Sequence, residues 1–425
     1  MTRRRRKVSE KKQQRETVEV TIETLGGRGD GIGELGGKKV FIPFTLPGER
    51  VRADTTHRTH DGVFADLTEI LELSAERVKP ACSHFGECGG CSLQHVTGNV
   101  LAEWKRARII DALAKRGLED VTVEPTVSVP PGTRRRAVFA YRVTARGAII
   151  GFNARASDQI VNQMECPLLD QRISRLVDPL RGILKEVCRP GAGGDISVTL
   201  TNEGPDVCID VANSPDLDGL EGLGAFGRDH DLARLSWRLD GQVVPVAEFR
   251  SVVLVMGEAR VAPPPGAFLQ ASIEGEAAIA ERVQSIVADA SPVADLFCGL
   301  GTFALRLAGD TTVHAVDGDS NLVNAIRHGH IKTEVRDLFR NPLAGNELAR
   351  FAAVVFDPPR AGAKAQAECL AEAGPPIIAA VSCNPATFAR DARILIDGGY
   401  RMNAVLPIDQ FPWSAHVELV AGFSR

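Results

Sequence analysis

The 425-residue sequence contains no apolar run that approaches the roughly 20 residues needed to span a bilayer. Its arginine-rich start, residues 1–7, lacks the apolar segment of a secretory signal peptide. The sequence also lacks an internal repeat and, beyond that start, any low-complexity segment. These absences argue against membrane-spanning, secreted and repeat proteins. We therefore expect a cytoplasmic protein that does not associate with membranes.

A strong charge of either sign is also missing, since 50 basic against 54 acidic residues give a formal net charge of -4. Overall charge therefore does not indicate a nucleic-acid partner, but local clusters do occur. The basic start is equally consistent with a solvated tail and with a phosphate-binding arm. Arg134–Arg136 and Arg142 flank a predicted strand and could contact phosphates.

The length predicts two or three domains. Residues 1–16 are nearly free of apolar positions, which predicts a disordered basic arm. Over 17–75, short alternating segments separated by glycines predict a small OB-like β-barrel. Residues 76–262 predict a β-rich domain, with one helix over 100–116 that we expect to pack on the next domain, with Trp104 in the core. Alternating helix and strand signals over 263–425 predict a parallel α/β domain.

The α/β domain begins with a glycine loop that suits a nucleoside cofactor. Gly299 and Gly301 follow a predicted strand, where they let the backbone approach a ligand closely. Asp317 ends the next strand, in a position to accept hydrogen bonds from ribose hydroxyls. The loop lacks the third glycine of the dinucleotide fingerprint, which favours S-adenosylmethionine over NAD. Asp357, in Asp-Pro-Pro after a third strand, adds a carboxylate beside this site.

Cys383 lies just after the apolar run 377–381, with only Ser382 between them. Methyl transfer to nitrogen or oxygen needs no thiol, but C5 of a pyrimidine becomes nucleophilic only after a thiolate adds at C6. A general base must then remove the C5 proton, and Glu418 and His416 are the candidates near the C-terminus. A buried inert thiol is the alternative interpretation. The cofactor motifs favour a nucleophile.

A second group of cysteines has the spacing of a metal or cluster site. Cys82, Cys88 and Cys91 form a C-x5-C-x2-C run, and Cys166 precedes a proline further along. Nine cysteines in a cytosolic chain are not expected to form a disulfide framework. Four thiolates suit an iron–sulfur cluster, with tetrahedral zinc as the main competitor. The spacing differs from the C-x3-C-x2-C of radical enzymes, so a closed structural cluster is favoured.

Together these motifs resemble the RNA 5-methyluridine methyltransferase family, and within it the iron–sulfur branch that methylates 23S ribosomal RNA. The resemblance extends over almost the whole chain from Thr17 and is strongest in the cysteine run with Leu93-Gln94-His95, and in 295–303, 357–362, 382–385 and 411–418. It implies an RNA-binding TRAM barrel, a central β-rich domain with a [4Fe–4S] cluster, and a Rossmann-like domain that binds S-adenosylmethionine.

The resemblance also implies roles for individual residues. It makes Cys383 the nucleophile and Glu418 the base. The implied cluster ligands are Cys82, Cys88, Cys91 and Cys166. The implied cofactor contacts are Gln270, Phe297, Thr302, Asp317, Asp337 and Asp357.

The sequence departs from the family pattern in three places. Family members often have asparagine at the position of Thr302 and glutamate at that of Asp317. The usual histidine-rich motif near the C-terminus is replaced by Trp413-Ser414-Ala415-His416. The departures therefore concern the contact made by Thr302 and the way in which the target base is held.

The implied activity is methylation of one uridine of 23S ribosomal RNA by a monomeric enzyme that flips the base out of its stack. The first alternative is the same chemistry on a T-loop uridine of transfer RNA, although transfer-RNA enzymes of the family usually lack the barrel and the cysteine run. The second is a non-catalytic RNA-binding iron–sulfur protein, against which Cys383 and Glu418 argue. A small-molecule methyltransferase would leave the barrel and the thiol unexplained.

Overall fold

A computed structural model describes residues 15–163, 165–309 and 311–425. The predicted basic arm over 1–16 lies outside the described residues except for its last two. The described chain divides into two compact units. The first contains residues 15–81, Cys91–Leu101 and Trp413–Ala415, and the second contains Cys82–Gly90, Ala102–Pro412 and His416–Arg425. Among the described residues, no helix combines the length and apolarity needed to cross a membrane.

The first unit is built on a closed barrel of five strands. Their bounds are β1 Thr17–Leu25, β2 Gly31–Leu35, β3 Lys38–Ile42, β4 Arg50–Arg58 and β5 Val63–Glu72. Alternation places Val18, Val20 and Ile22 in the interior and the residues between them in solvent. Gly33 allows close strand pairing, since a Cβ there would lie 2.4 Å from the carbonyl oxygen of Thr21. The predicted N-terminal β-barrel is confirmed.

The second unit contains a seven-stranded sheet that follows helix α1 Gly98–Ala114 and the short strand β6 Val127–Ser128. The strand bounds are β7 Arg136–Thr144, β8 Gly147–Asn153, β9 Ile160–Asn162, β10 Gly193–Thr201, β11 Gly204–Asp210, β12 Arg234–Leu239 and β13 Gln242–Glu248. The spatial order is β13-β12-β11-β10-β7-β8-β9. This sheet is the β-rich region expected in the middle of the chain.

Three helices that the sequence analysis did not predict share a core with this sheet. Their bounds are α2 Gln171–Ser174, α3 Val177–Val187 and α4 Leu217–Asp229. In α3 the buried residues Val177, Leu180, Ile183 and Leu184 recur at helical spacing. The region is therefore a sheet with helices packed on it. A hairpin of β14 Leu254–Met256 and β15 Ala259–Val261 follows.

The rest of the second unit consists of an eight-stranded sheet and the helices that connect its strands. Its elements are α5 Ile273–Val287, β16 Val293–Leu296, α6 Ala304–Leu307, β17 Val313–Asp317, α7 Ser320–Ala325, β18 Ile331–Val335, α8 Asn346–Ala349, β19 Ala353–Phe356, α9 Lys364–Ala373, β20 Ile377–Ser382, α10 Pro385–Asp397, β21 Arg401–Asp409 and β22 Glu418–Ser424. The order is β18-β17-β16-β19-β20-β22-β21-β6. The strands β16 to β20 are parallel, whereas β22 is antiparallel to β20 and β21. This arrangement confirms the predicted Rossmann-like α/β domain.

Helix α1 packs on this α/β sheet, because Ile109 and Leu113 share a core with residues of its strands. Trp104 was expected in the core but is only partly buried, and the guanidinium of Arg108 lies 4.9 Å from the centre of its ring. Its neighbour Lys105 is fully buried instead. Lys105 pairs with the carboxylate of Asp409 and donates to the carbonyl oxygen of Phe411 at 3.0 Å. This pair fixes the end of β21, next to the cavity described below.

Candidate functional site

The loop after β16 has the backbone conformation that its glycines suggested. Gly299 and Gly301 have φ values of 54° and 83°, which favour glycine. The backbone N–H of Gly299 donates to Oδ2 of Asp317 at 2.9 Å. The other oxygen, Oδ1, accepts from the backbone N–H of Asp319 at 2.9 Å. The carboxylate of Asp317 is therefore held in a fixed orientation at the end of β17.

A cavity of about 730 Å³ lies at the carboxyl ends of the parallel strands. The residues expected to bind cofactor or to catalyse all line it: Gln270, Phe297, Thr302, Asp317, Asp337, Asp357, Cys383 and Glu418. Cys383 follows β20, and Glu418 begins β22. These two residues reach the same edge because β22 runs antiparallel to β20, with Leu419 paired to Ser382. The sheet order thus brings together side chains that are distant in sequence.

The cavity is rich in carboxylates whose ionisation is suppressed. Burial raises the pKa of Asp357 to about 7. Burial and, to a smaller extent, the charge of Asp357 raise the pKa of Glu418 to about 8. Behind the loop, burial raises the pKa of Asp295 to about 8. A cationic ligand would stabilise the ionised forms of these carboxyl groups, whereas a pyrophosphate group would destabilise them. The sulfonium of S-adenosylmethionine fits these residues for that reason.

The Cys383 thiol lies among these carboxyl groups. Burial raises its pKa to about 11, with smaller contributions from the negative charges of Glu418 and Asp357. The guanidinium of Arg360 acts in the opposite direction. A cation bound in the cavity would likewise lower this pKa, because it would stabilise the thiolate. A positive charge in the cavity would therefore favour ionisation of the Cys383 thiol.

The two candidate bases differ in strength. Burial, followed by the charge of Arg360, lowers the pKa of His416 to about 4. Its ring nitrogens lie 3.0 and 3.1 Å from Nη2 of Arg360. Glu418 has a pKa of about 8 and is thus the stronger base once ionised. The local chemistry favours Glu418 for proton removal.

Asp295 offers a test of these electrostatics. Its Oδ2 accepts from the backbone N–H of Ala304 at 2.8 Å, whereas Oδ1 has no hydrogen-bond partner among the described residues. Its pKa in the folded protein is raised from 3.8 to about 8, so the unfolded chain ionises first and stability falls as the pH rises between these values. An asparagine side chain cannot ionise, so we expect Asp295→Asn to melt at a higher temperature than the native protein, by a margin that widens between about pH 5 and pH 8. Thermal unfolding over this range would check it.

The exposed carboxylate of Asp61, in the first unit, provides the control for this series. We expect Asp61→Asn to shift the melting temperature little, because substitutions at exposed positions usually have small effects. A constant margin for Asp295→Asn across the range would contradict the raised pKa.

In the second unit, backbone N–H groups are directed at the sulfurs of two of the predicted cluster ligands. Gly90 donates its N–H to the sulfur of Cys88 at 3.4 Å, and backbone N–H groups of Leu168 and Leu169 donate to Cys166. Such donors suit thiolate ligands of a cluster. Burial raises the pKa of Cys166, and the nearby sulfurs of Cys82 and Cys88 add to this effect. Within the described residues, however, no three His, Cys, Asp or Glu side chains are arranged to hold a metal ion. The cluster stays a prediction.

Among the basic residues that could contact phosphates, Arg135 has a different place in the structure. Arg135 is buried, pairs with the carboxylate of Glu276, and donates Nε to the carbonyl oxygen of Gln270 at 3.2 Å. The guanidinium of Arg135 is engaged in these structural contacts and is not available to bind phosphate. Its neighbour Arg136 lies 4.7 Å from the ring centre of Phe268, which lines the cavity and is 61% exposed.

Sequence reasoning did not find the part played by Gln410. Gln410 is buried at the end of β21 and hydrogen-bonds to Gln270 and to Glu418. The only signal was its place directly before the 411–418 motif. Neither periodicity nor residue type indicates these contacts.

Two family models match the sequence. The model described as TRAM domain matches residues 11–58. The model described as tRNA (Uracil-5-)-methyltransferase matches residues 323–423.

Relatives and a solved structure match nearly the whole chain. An uncharacterized RNA methyltransferase of Mesorhizobium japonicum is 44% identical, and the match covers 94% of this chain and 96% of the relative. The 23S rRNA (uracil(1939)-C(5))-methyltransferase RlmD of Alkalilimnicola ehrlichii is 33% identical, with 100% and 99% covered. The structure of Pyrococcus abyssi tRNA (uracil-54, C5)-methyltransferase in complex with S-adenosyl-L-homocysteine has a TM-score of 0.73 at 23% identity, covering 96% of this chain and 100% of that one. At this identity the structural likeness concerns the fold.

Proposed function

We propose that this chain, which belongs to the family of TRAM-containing RNA uracil-5-methyltransferases, methylates C5 of a uridine in RNA with S-adenosylmethionine as the methyl donor. One observation carries the proposal. Cys383 and Glu418 line the same cavity as the glycine loop at the carboxyl ends of the strands. A thiol and a base beside a cofactor loop are the groups that methylation of an unactivated pyrimidine carbon requires.

The residues that would hold the cofactor are those of the loop and the neighbouring strand ends. Asp317 is oriented to accept hydrogen bonds from ribose hydroxyls. Asp357 and Glu418 line the same cavity, and a bound sulfonium would favour their ionised forms. The remaining proposed contacts are Gln270, Phe297, Thr302 and Asp337. When bound, S-adenosylmethionine supplies an electrophilic methyl group and a positive charge.

In the proposed reaction, Cys383 loses its proton to solvent and the sulfur of the resulting thiolate adds to C6 of the uracil ring. The C5–C6 π electrons move toward the carbonyl and make C5 nucleophilic. C5 could then accept the methyl group that the bound cofactor would supply, and the methyl–sulfur bond would break to leave S-adenosyl-L-homocysteine. Glu418 then removes the C5 proton. The electrons of that C–H bond restore the C5–C6 double bond and expel the sulfur of Cys383. The uridine must leave its stack to reach both side chains.

For the substrate we propose 23S ribosomal RNA. We further propose that the enzyme is a monomer and that its barrel binds the RNA that flanks the target uridine. The TRAM match and the likeness to RlmD over the whole length support this choice. The second candidate is transfer RNA, which is favoured by the description of the carboxyl-terminal family model.

Nucleoside mass spectrometry with site mapping of ribosomal and transfer RNA, from cells lacking the protein, would test both candidates. Loss of one 5-methyluridine from 23S RNA is the expected result. Loss from transfer RNA would move the activity to the second candidate, and unchanged 5-methyluridine in both would overturn the proposal.

We also propose that Cys82, Cys88, Cys91 and Cys166 hold a structural [4Fe–4S] cluster. The N–H groups directed at Cys88 and Cys166 support it. After anaerobic reconstitution, we expect the native protein to contain iron and sulfide in equal amounts and Cys166→Ser to lose most of both. Cys369→Ser, on helix α9 outside the run, is the matched control and should keep both. Zinc in place of iron and sulfide would contradict the cluster.

A further inference from the structure

The side-chain amide of Gln410 has hydrogen-bond partners on both of its ends. Gln410 is 2% exposed, and its Oε1 accepts from the backbone N–H of Ala271 at 2.9 Å. Its Nε2 donates to Oε1 of Gln270 at 2.6 Å, and its side chain also hydrogen-bonds to Glu418. A backbone N–H can only donate, so Ala271 fixes the oxygen on its own side. Both N–H groups of the amide must then point toward Gln270 and Glu418.

The orientation of the Gln410 amide also determines the orientation of the Gln270 amide. Since Oε1 of Gln270 accepts from Gln410, the NH2 group of Gln270 points the other way, and it lies 3.5 Å from Oδ2 of Asp357. Two amides in series therefore join two carboxyl groups of the cavity, Glu418 and Asp357. Each carboxyl group faces an N–H donor and not a carbonyl oxygen. The backbone N–H of Ala271 therefore determines the direction of every hydrogen bond in this series.

The start of helix α5 holds this pair of amides in place. A Cβ at Gly275 would lie 2.7 Å from Cβ of Gln410, so only glycine leaves room for the glutamine. Ser272 caps the helix by accepting from the Gly275 N–H at 3.0 Å. The buried Arg135 binds the backbone of Gln270 and the side chain of Glu276 on the same helix. Both glutamines are thus fixed by groups outside the cavity.

We propose that Gln410 is a positioning residue that orients Glu418 toward the C5 proton and Gln270 toward the cofactor, so that one amide aligns the base with the methyl donor. This inference rests on the proposed function and extends it. Gln410 itself is absent from the residues that line the cavity, and it acts through two residues that do line it.

The groups around Glu418 determine how its pKa changes when the Gln410 amide is removed. Asp357 and Arg360 face it from the loop after β19, and Cys383 faces it from the end of β20. His416 lies two residues before it, and the Arg135–Glu276 ion pair lies beyond the amides. Among these groups the hydrogen bond from Gln410 lowers the pKa of Glu418. Its removal therefore favours the protonated carboxyl group, which cannot act as a base.

Gln410→Met tests the proposal, because methionine has a similar length and no hydrogen-bonding group. We expect kcat to fall about 10- to 100-fold, which is less than the roughly 10²- to 10⁴-fold contribution of a general base, because the base is misplaced and not removed. The acid limb of the pH–rate profile should move to higher pH. A covalent protein–RNA adduct should accumulate, because proton removal is slowed after the sulfur has added. Binding of S-adenosyl-L-homocysteine, followed by calorimetry, should weaken several-fold through the loss of support for Gln270.

Gln366→Met is the matched control. Gln366 is also a buried glutamine, with bonds to the backbone of Leu343 at 2.9 and 3.0 Å, and it lies outside the cavity. It should lower the melting temperature without moving the acid limb or trapping RNA. If Gln410→Met does not fold, Gln410→Glu keeps the acceptor for Ala271 and removes both N–H donors, and should show the same changes.

A folded Gln410 variant with the native rate, acid limb and adduct level would overturn the inference. That outcome is distinct from failure of the proposed function, in which the native protein itself would methylate no uridine.

Discussion

Cys383→Ala should abolish uridine methylation and leave the binding of S-adenosyl-L-homocysteine within about threefold of the native value. Without sulfur at C6, C5 of uracil stays too weak a nucleophile to accept a methyl group, so we expect turnover to fall by more than about 10⁴-fold. Cofactor affinity should survive because the loop and Asp317 are held by backbone contacts that do not involve the thiol. The measurement is transfer of labelled methyl groups to RNA, with calorimetry for binding.

The same substitution outside the cavity provides the control. Cys369 lies on helix α9, and Cys369→Ala should keep full activity. Cys383→Ser should be nearly as inactive as the alanine variant, since an alkoxide is far harder to form than a thiolate. Full methylation by Cys383→Ala would rule out the covalent mechanism and leave the place of the thiol in the cavity unexplained.

Local patterns in the sequence were sufficient to predict the main features of the fold. Val18, Val20 and Ile22 alternate along a barrel strand, and the apolar runs before Gly299 and Cys383 are buried parallel strands. Helix α4 was missed because four glycines interrupt its thirteen residues, and glycine has a low helix propensity. Its buried residues Leu223 and Phe226 share a core with the neighbouring sheet, and such packing stabilises a helix of low intrinsic propensity.

The candidate site depended on two kinds of information. The glycine loop and the thiol after a strand follow from residue types and spacing. The roles assigned to Gln270 and Asp337 came from family resemblance, because no local pattern marks them. Side-chain pairs separated by more than 100 residues could not be predicted. Examples are Lys105 with Asp409 and Gln410 with Gln270. Such contacts are set by strand order, which a single sequence does not display.

Glu418→Gln should convert the enzyme into one that binds RNA covalently and fails to release it. Addition of sulfur and transfer of the methyl group precede proton removal, so both can proceed without the base. Elimination cannot, because the C5 proton has no acceptor. We expect turnover to fall by about 10²- to 10⁴-fold, the usual range for loss of a general base. A protein–RNA band that resists denaturation, with a methylated base by mass spectrometry, would be the direct observation.

Two comparisons separate Glu418 from the other groups near the base. His416→Gln should release product and trap no RNA, since the pKa of His416 lies near 4 and its ring is beside Arg360. The double variant Cys383→Ala, Glu418→Gln should form no adduct at all, because the sulfur that forms the bond is gone. In the native protein the rate should rise with pH toward about 8, where the Glu418 carboxyl ionises. An adduct in His416→Gln, with none in Glu418→Gln, would assign the base to the histidine and contradict the order of pKa values in this cavity.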